Sequence, residues 1–222
     1  IHMEEKQLTE WESLHLIHQM ITMAKKEQRD DARGWILWGW LLFLASLLTV
    51  ANIRFGWFQT FFFWDAFGLV TIAVFLYEMV AARLLKRAAR VKTYTGDLFS
   101  RLNAGFFICL LFIIVAINVG SRVISKKYGL MDMTFVNIGF SLLISLYAFW
   151  ILIYGTALNF KPSVIGAYCA WAFGIAALFS MDFETVMWLQ AGAVLAGYII
   201  PGYIANREFK RIKREQKVAS RV

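Results

Sequence analysis

The 222 residues are 59% hydrophobic and 17% aromatic, include only two prolines, and carry a formal net charge of +8 at pH 7. Soluble domains average about 45–50% apolar residues, so the excess excludes an ordinary soluble domain. Charges gather in a few blocks separated by uncharged runs of about 20 residues, the length a helix needs to cross lipid; the short alternating segments of a transmembrane β-barrel are not seen.

The pattern predicts an all-α integral membrane protein with six transmembrane helices, cytoplasmic N- and C-termini and an N-terminal amphipathic helix. Ile1 and His2 ahead of Met3 read as a cloning scar, and the polar segment before the first apolar run argues against a cleavable signal peptide. Thr9-Glu10-Trp11-Glu12 fits a capping box. Leu14, Ile17, Ile21 and Ala24 then repeat at three- and four-residue steps, so residues 10–31 are expected to form an amphipathic helix within a cytoplasmic arm, 1–34. Such a helix lies on the membrane or packs under the spans; the alternative is a docking helix for a partner or second subunit.

The first span is expected over 35–53, with Trp35, Trp38 and Trp40 at the cytoplasmic interface, where an aromatic ring bearing an N–H is favoured. The second, 57–80, returns inward and is followed by a basic run from Arg83 to Lys92. The third is placed at 104–120, the fourth at 134–156 and the fifth at 162–180, with Pro162 in the first turn, where its missing N–H costs nothing. Asp182 suits an N-cap for the sixth span, 185–206, and Glu184 suits its dipole. Pro201-Gly202 predicts a bend near the cytoplasmic end, before a basic tail, 207–222.

Lysine and arginine fix the orientation. The arm holds five, the loop after the second span six, the loop after the fourth one and the tail seven, while the three opposite loops hold one, three and none. Cytoplasmic loops carry the excess of cations, so both termini belong inside. The same rule accounts for the net charge without nucleic acid. A constant offset aligns Trp64, Gly68 and Val70 with Trp188, Gly192 and Val194. Apolar helices ending in basic patches match this way by chance, and the flanking spans align poorly, so an internal duplication is the weaker reading.

Little in the chain suggests catalysis. His2, His15 and His18 all precede the first span, Cys109 and Cys169 stand far apart inside apolar runs, and no nucleophile elbow, zinc-protease, P-loop or dinucleotide motif occurs. No catalytic residue, metal site or cofactor is expected. Asp65 and Glu78 are the acids placed inside a span, and intramembrane carboxylates mark ion or proton sites by default. Asn118 and Asn137 could join Asp65 in an outward-facing cavity. The plainer reading leaves Asp65 at the outer interface and Glu78 solvated or paired with an arginine.

Gly166, Ala170 and Gly174 form a small-residue stripe on the fifth span, and Gly192 with Ala196 another on the sixth. Small residues let helix backbones approach in lipid, so these spans are expected to pack together, a homo-oligomeric seam being the alternative. Arg207, Lys210, Arg211, Lys213 and Arg214 suit anionic headgroups of the bilayer.

Glu12-Ser13-Leu14 with Met20-Ile21, Trp38-Gly39-Trp40, Val91-Lys92-Thr93-Tyr94, Phe160-Lys161-Pro162 and Ile200-Pro201-Gly202-Tyr203 occur in an order and spacing that resembles a family of small six-span bacterial inner-membrane proteins with no assigned activity. The resemblance runs over nearly the whole chain, implies that the cytoplasmic face matters, and brings no substrate, cofactor or catalytic residue. The expected function is a non-enzymatic inner-membrane protein whose cytoplasmic surface docks a soluble or membrane partner. The alternative is a small transporter or channel using Asp65 and Glu78.

Overall fold

An apolar chain in lipid can pair its backbone groups internally only as a helix or a closed barrel. The computed structural model describes residue 11 and residues 32–84, 94–128 and 133–219, and these are helical apart from short turns. Seven α-helices follow in order among the described residues: α1 (Ala32–Phe55), α2 (Phe62–Leu84), α3 (Tyr94–Tyr128), α4 (Met133–Ala157), α5 (Lys161–Leu178), α6 (Phe183–Val194) and α7 (Ile200–Ala219). A single π-helical turn, Leu195–Ile199, joins α6 to α7. Five stretches are long and apolar enough to cross a membrane: Gly34–Phe55, Arg101–Lys127, Met133–Ala157, Lys161–Leu178 and Phe183–Arg211. The apolar part of α2, Phe62–Val74, is shorter.

The first turn of chain is built by Asn52. Its carboxamide, 2% exposed, accepts from the Phe58 N–H at 2.7 Å and donates to the carbonyls of Phe58 and Gln59 at 3.2 and 2.9 Å. Gly56, at φ 65°, ends α1 with its N–H on the Asn52 carbonyl, the left-handed cap that only glycine adopts without strain. These bonds hold residues 57–61 as a connection, so α2 begins at Phe62 and not at Trp57. The third helix departs from expectation in the other sense. It starts at Tyr94, taking Gly96 and Asp97 into its first turn, and runs past residue 120 to Tyr128.

The helices neighbour one another in the order α3, α4, α5, α6, α1, α2, with α6 also against α4. The core lies where α4, α5 and α6 meet, around Ile144, Ala148, Ala170, Val186 and Met187. Phe61 and Trp64 bring the start of α2 onto it, through Phe183 and Phe140 at ring-centroid distances of 5.4 and 5.0 Å. By contrast α3 packs mainly on α4, and no residue of its apolar stretch is buried. Leu69, Ile72, Ile108, Leu111 and Phe112 all face outward. Large apolar side chains in that number on the outside are expected of helices solvated by lipid and unexpected in water.

At the end of the bundle opposite Trp35, Arg54 and Glu184 tie α1 to α6 through Nε–Oε1 and Nη2–Oε1 distances of 2.7 and 2.6 Å. Asp182 caps α6, its Oδ2 accepting from the Thr185 N–H at 3.0 Å and the Thr185 hydroxyl at 3.1 Å. Residues 1–10 and 12–31 of the arm, with the capping-box pair Thr9 and Glu12, nearly all of the expected amphipathic helix and the three histidines, and Val91, Lys92 and Thr93 lie outside the described residues.

Candidate functional site

The inward face of α6 repeats at helical spacing: Val186, Met187, Gln190, Ala193 and Val194 are all buried. Four of these are apolar, and the fifth is a carboxamide. Gln190 is 1% exposed, and its Oε1 receives no hydrogen bond from any described residue. It lines a cavity of about 10 Å³ with Ile144, Tyr147 and Ile151 of α4, Ala170 of α5, and Ala193, Val194 and Tyr198 of its own strand of helix. The rings of Tyr147 and Tyr198 meet edge to face in that wall at 6.3 Å. Leaving a buried carbonyl unpaired costs about 1–3 kcal/mol, so the site is energetically expensive for a purely structural core.

The π-turn beside it has a local cause. In a regular helix the Ala196 carbonyl would accept from the N–H of Ile200. Here the Ile200 N–H bonds the Leu195 carbonyl, and Pro201, next in line, has no N–H to give. Ala196 is thus left without its helical donor. Its oxygen is turned toward Gly166 of α5, where a Cβ would come within 2.5 Å of it. The chain accommodates the proline by widening one turn, and that turn carries Tyr198 into the cavity wall. Single π-turns of this kind recur at functional sites.

A second buried carboxamide lies nearer the Arg54 end. Asn137 is 2% exposed; its Nδ2 donates to the Ser180 carbonyl at 3.4 Å, and its Oδ1 has no donor among the described residues. Between the two, the Ser141 hydroxyl donates to the Gly174 carbonyl, the Trp171 indole N–H to the Ser145 hydroxyl at 3.1 Å, and the Trp64 indole N–H to Met187 Sδ at 3.2 Å.

The residues singled out from the sequence fall in different places. Asp65 is exposed in the first turn of α2, where a carboxylate complements the helix dipole, and it does not line the Gln190 cavity. Asn118 is exposed on α3, its Nδ2 donating back to the Ile114 carbonyl at 2.9 Å. Asn137 is buried in the core; Glu78 lies within α2, but its side chain is outside the described residues. Asp65, Asn118 and Asn137 therefore do not converge on one cavity. Gly166 and Ala170 face the π-turn, Gly174 faces Ile144 of α4, and Gly192 faces Phe173 of α5. The fifth helix is therefore wedged between α4 and the last span. Arg207, Lys210 and Arg211 are exposed on α7, with Lys213 and Arg214 further along the same helix and their side chains outside the described residues.

The Trp35 end gathers aromatic residues from four helices. Trp35 packs on Tyr154 and Tyr198 at 4.6 and 5.5 Å, and Phe99 on Tyr154 at 5.1 Å. The Trp40 indole N–H donates to the Tyr203 hydroxyl at 3.3 Å, and Gly39 sits against Tyr198 and Ile199, with 3.0 Å to each from a Cβ built there. Trp38-Gly39-Trp40 and Ile200-Pro201-Gly202-Tyr203, distant in sequence, are one contact surface in space.

Gln190, Tyr147 and Tyr198 are absent from the sequence-based candidates, among which the carboxamides Asn118 and Asn137 stand only as companions of Asp65. The signal was present: Gln190 is the only Gln between Phe183 and Arg211. No family model, no curated protein and no solved structure matches the chain.

Proposed function

We propose that the chain is a six-span, non-enzymatic protein of the bacterial inner membrane, with both termini in the cytoplasm, that anchors a partner protein at its cytoplasmic face. The α2 helix serves as the sixth span: its 23 residues, at about 1.5 Å each, exceed a hydrocarbon core of about 30 Å. The orientation follows from the gathering of 19 of the 23 lysines and arginines at the Trp35 end or in the segments continuing from it.

The observation that carries the docking role is the unbroken course of α7. It is still packed in the bundle at Pro201 and Gly202, both buried, and runs on to Ala219, with Arg207, Lys210 and Arg211 exposed along a basic helix rooted in the membrane domain. The Trp40–Tyr203 bond and the Gly39 contact brace its base. A rigid cationic helix suits a partner with an acidic face and gains from anionic headgroups nearby, at about 1 kcal/mol per cation at the surface.

The test compares full-length protein with two variants, one lacking residues 10–31 and one carrying Arg207→Glu, Lys210→Glu and Arg211→Glu, each isolated from its own membranes after crosslinking. The anchoring reading expects crosslinked partners from the full-length protein to be lost from both variants while membrane insertion is unchanged. An identical set of partners from all three would contradict it.

A further inference from the structure

The Gln190 cavity is lined by none of the basic residues to which docking is assigned. We propose that it is a binding site for one small, neutral, hydrogen-bond-donating molecule, namely water, held in the core of the bundle beside the π-turn.

A site needs roughly 10–15 Å³ to hold a single water, and this one offers about 10 Å³, which excludes any larger organic guest. Chemistry narrows the guest further. Gln190 Oε1 is an acceptor without a protein donor among the described residues, so the guest must donate a hydrogen. None of the eight lining residues is acidic, so nothing there would repay the cost of stripping a cation of its hydration. None is basic either, so an anion would be buried there without a partner charge. Buried waters typically make two to four hydrogen bonds, and Tyr147 and Tyr198 are the other lining residues that bear hydroxyls.

Position gives the site its interest. Tyr198 belongs to the π-turn, so the wall of the cavity and the widened backbone are one element. Conversion of that turn to a regular helix would rotate Tyr198 by about 100° and remove it from the wall. Occupancy of the cavity and retention of the π-turn are therefore coupled: the turn that Pro201 imposes puts Tyr198 in the wall, and water bridging Gln190 to a tyrosine hydroxyl adds to its stability.

The experiment is a density map of the full-length protein in lipid nanodiscs at a resolution that shows ordered water, for the wild type and for Gln190→Leu, with a parallel wild-type sample in thallium salt. The proposal expects a peak within hydrogen-bond distance of Gln190 Oε1 in the wild type, its loss in Gln190→Leu, and no strengthening in thallium. A peak that strengthens in thallium would show a cation and overturn it. So would a cavity without density, or a protein donor on Gln190 Oε1. Should Gln190→Leu fail to fold, water-edited solid-state NMR on the wild type decides: early magnetisation transfer from water to the Gln190 carboxamide and the Tyr198 ring supports the site, and its absence contradicts it.

Discussion

Gly166 lies against the carbonyl of Ala196, so close that a β-carbon on the glycine would stand 2.5 Å from the oxygen. The contact joins the fifth helix to the one turn of the last span that cannot complete its hydrogen bonds. Because the neighbour is backbone, it cannot give way as a flexible side chain would. Gly166→Ala should therefore lower stability by about 1–3 kcal/mol, the usual cost of overpacking, read as a fall in thermal midpoint in detergent. Gly68→Ala and Gly105→Ala, where a Cβ meets nothing within 4 Å, should leave the midpoint unchanged or raise it. Equal effects at the three positions would mean that the glycine is not needed for this approach.

Asn52 holds the turn between α1 and α2 by three hydrogen bonds. Asn52→Ala removes all of them and strands buried backbone groups, at about 1–3 kcal/mol for the set. Asn52→Asp keeps the acceptor for Phe58 and loses the donors, so it should fall between. Hydrogen exchange at residues 57–61 is the readout, and unchanged protection in Asn52→Ala would remove this residue from the account.

The Arg54–Glu184 pair closes the same end of the bundle, but with Arg54 59% exposed it is a surface interaction. Its contribution should not exceed about 1 kcal/mol and should shrink with ionic strength. Glu184→Gln is expected to lower the thermal midpoint slightly at low salt and not at all at high salt. A large, salt-independent loss would show that the pair does more than clasp two helix ends.

Asp182 is the stronger determinant of that end, since it caps α6 directly. Asp182→Ala should cost about 0.5–2 kcal/mol, while Asp182→Ser, which can still accept from the Thr185 N–H, should recover most of it. Thermal midpoints of the two variants decide the point, and equal losses would argue against capping.

Much of this architecture could be read from uncharged runs, because a helix is the one open-chain structure that lipid tolerates. The helices over Gly34–Phe55, Met133–Ala157 and Lys161–Leu178 lie within two residues of bounds drawn from apolarity and Pro162 alone. The misses have particular causes. Trp57 to Phe61 is uncharged and holds three aromatic residues, so it reads as the start of a span, yet Asn52 commits it to a turn, and a side chain's choice of backbone partners is invisible to hydropathy. Thr95-Gly96-Asp97 has the composition of a loop and lies in the first turn of α3. Pro201 announced a disturbance in the last helix, but its form, a π-turn five residues long, emerges only from the Ile200–Leu195 bond. Gln190 is hard to single out in the sequence because a neutral amide hardly alters the character of an apolar run; burial is what makes it costly.

A bundle that threads the bilayer six times with its cationic ends on one side can be probed with single cysteines in a background carrying Cys109→Ser and Cys169→Ala, treated in intact cells with a membrane-impermeant maleimide. Phe55→Cys and Met181→Cys should label from outside, and Lys210→Cys only after permeabilisation. Labelling of Lys210→Cys in intact cells, or protection of the other two, would overturn the six-span arrangement.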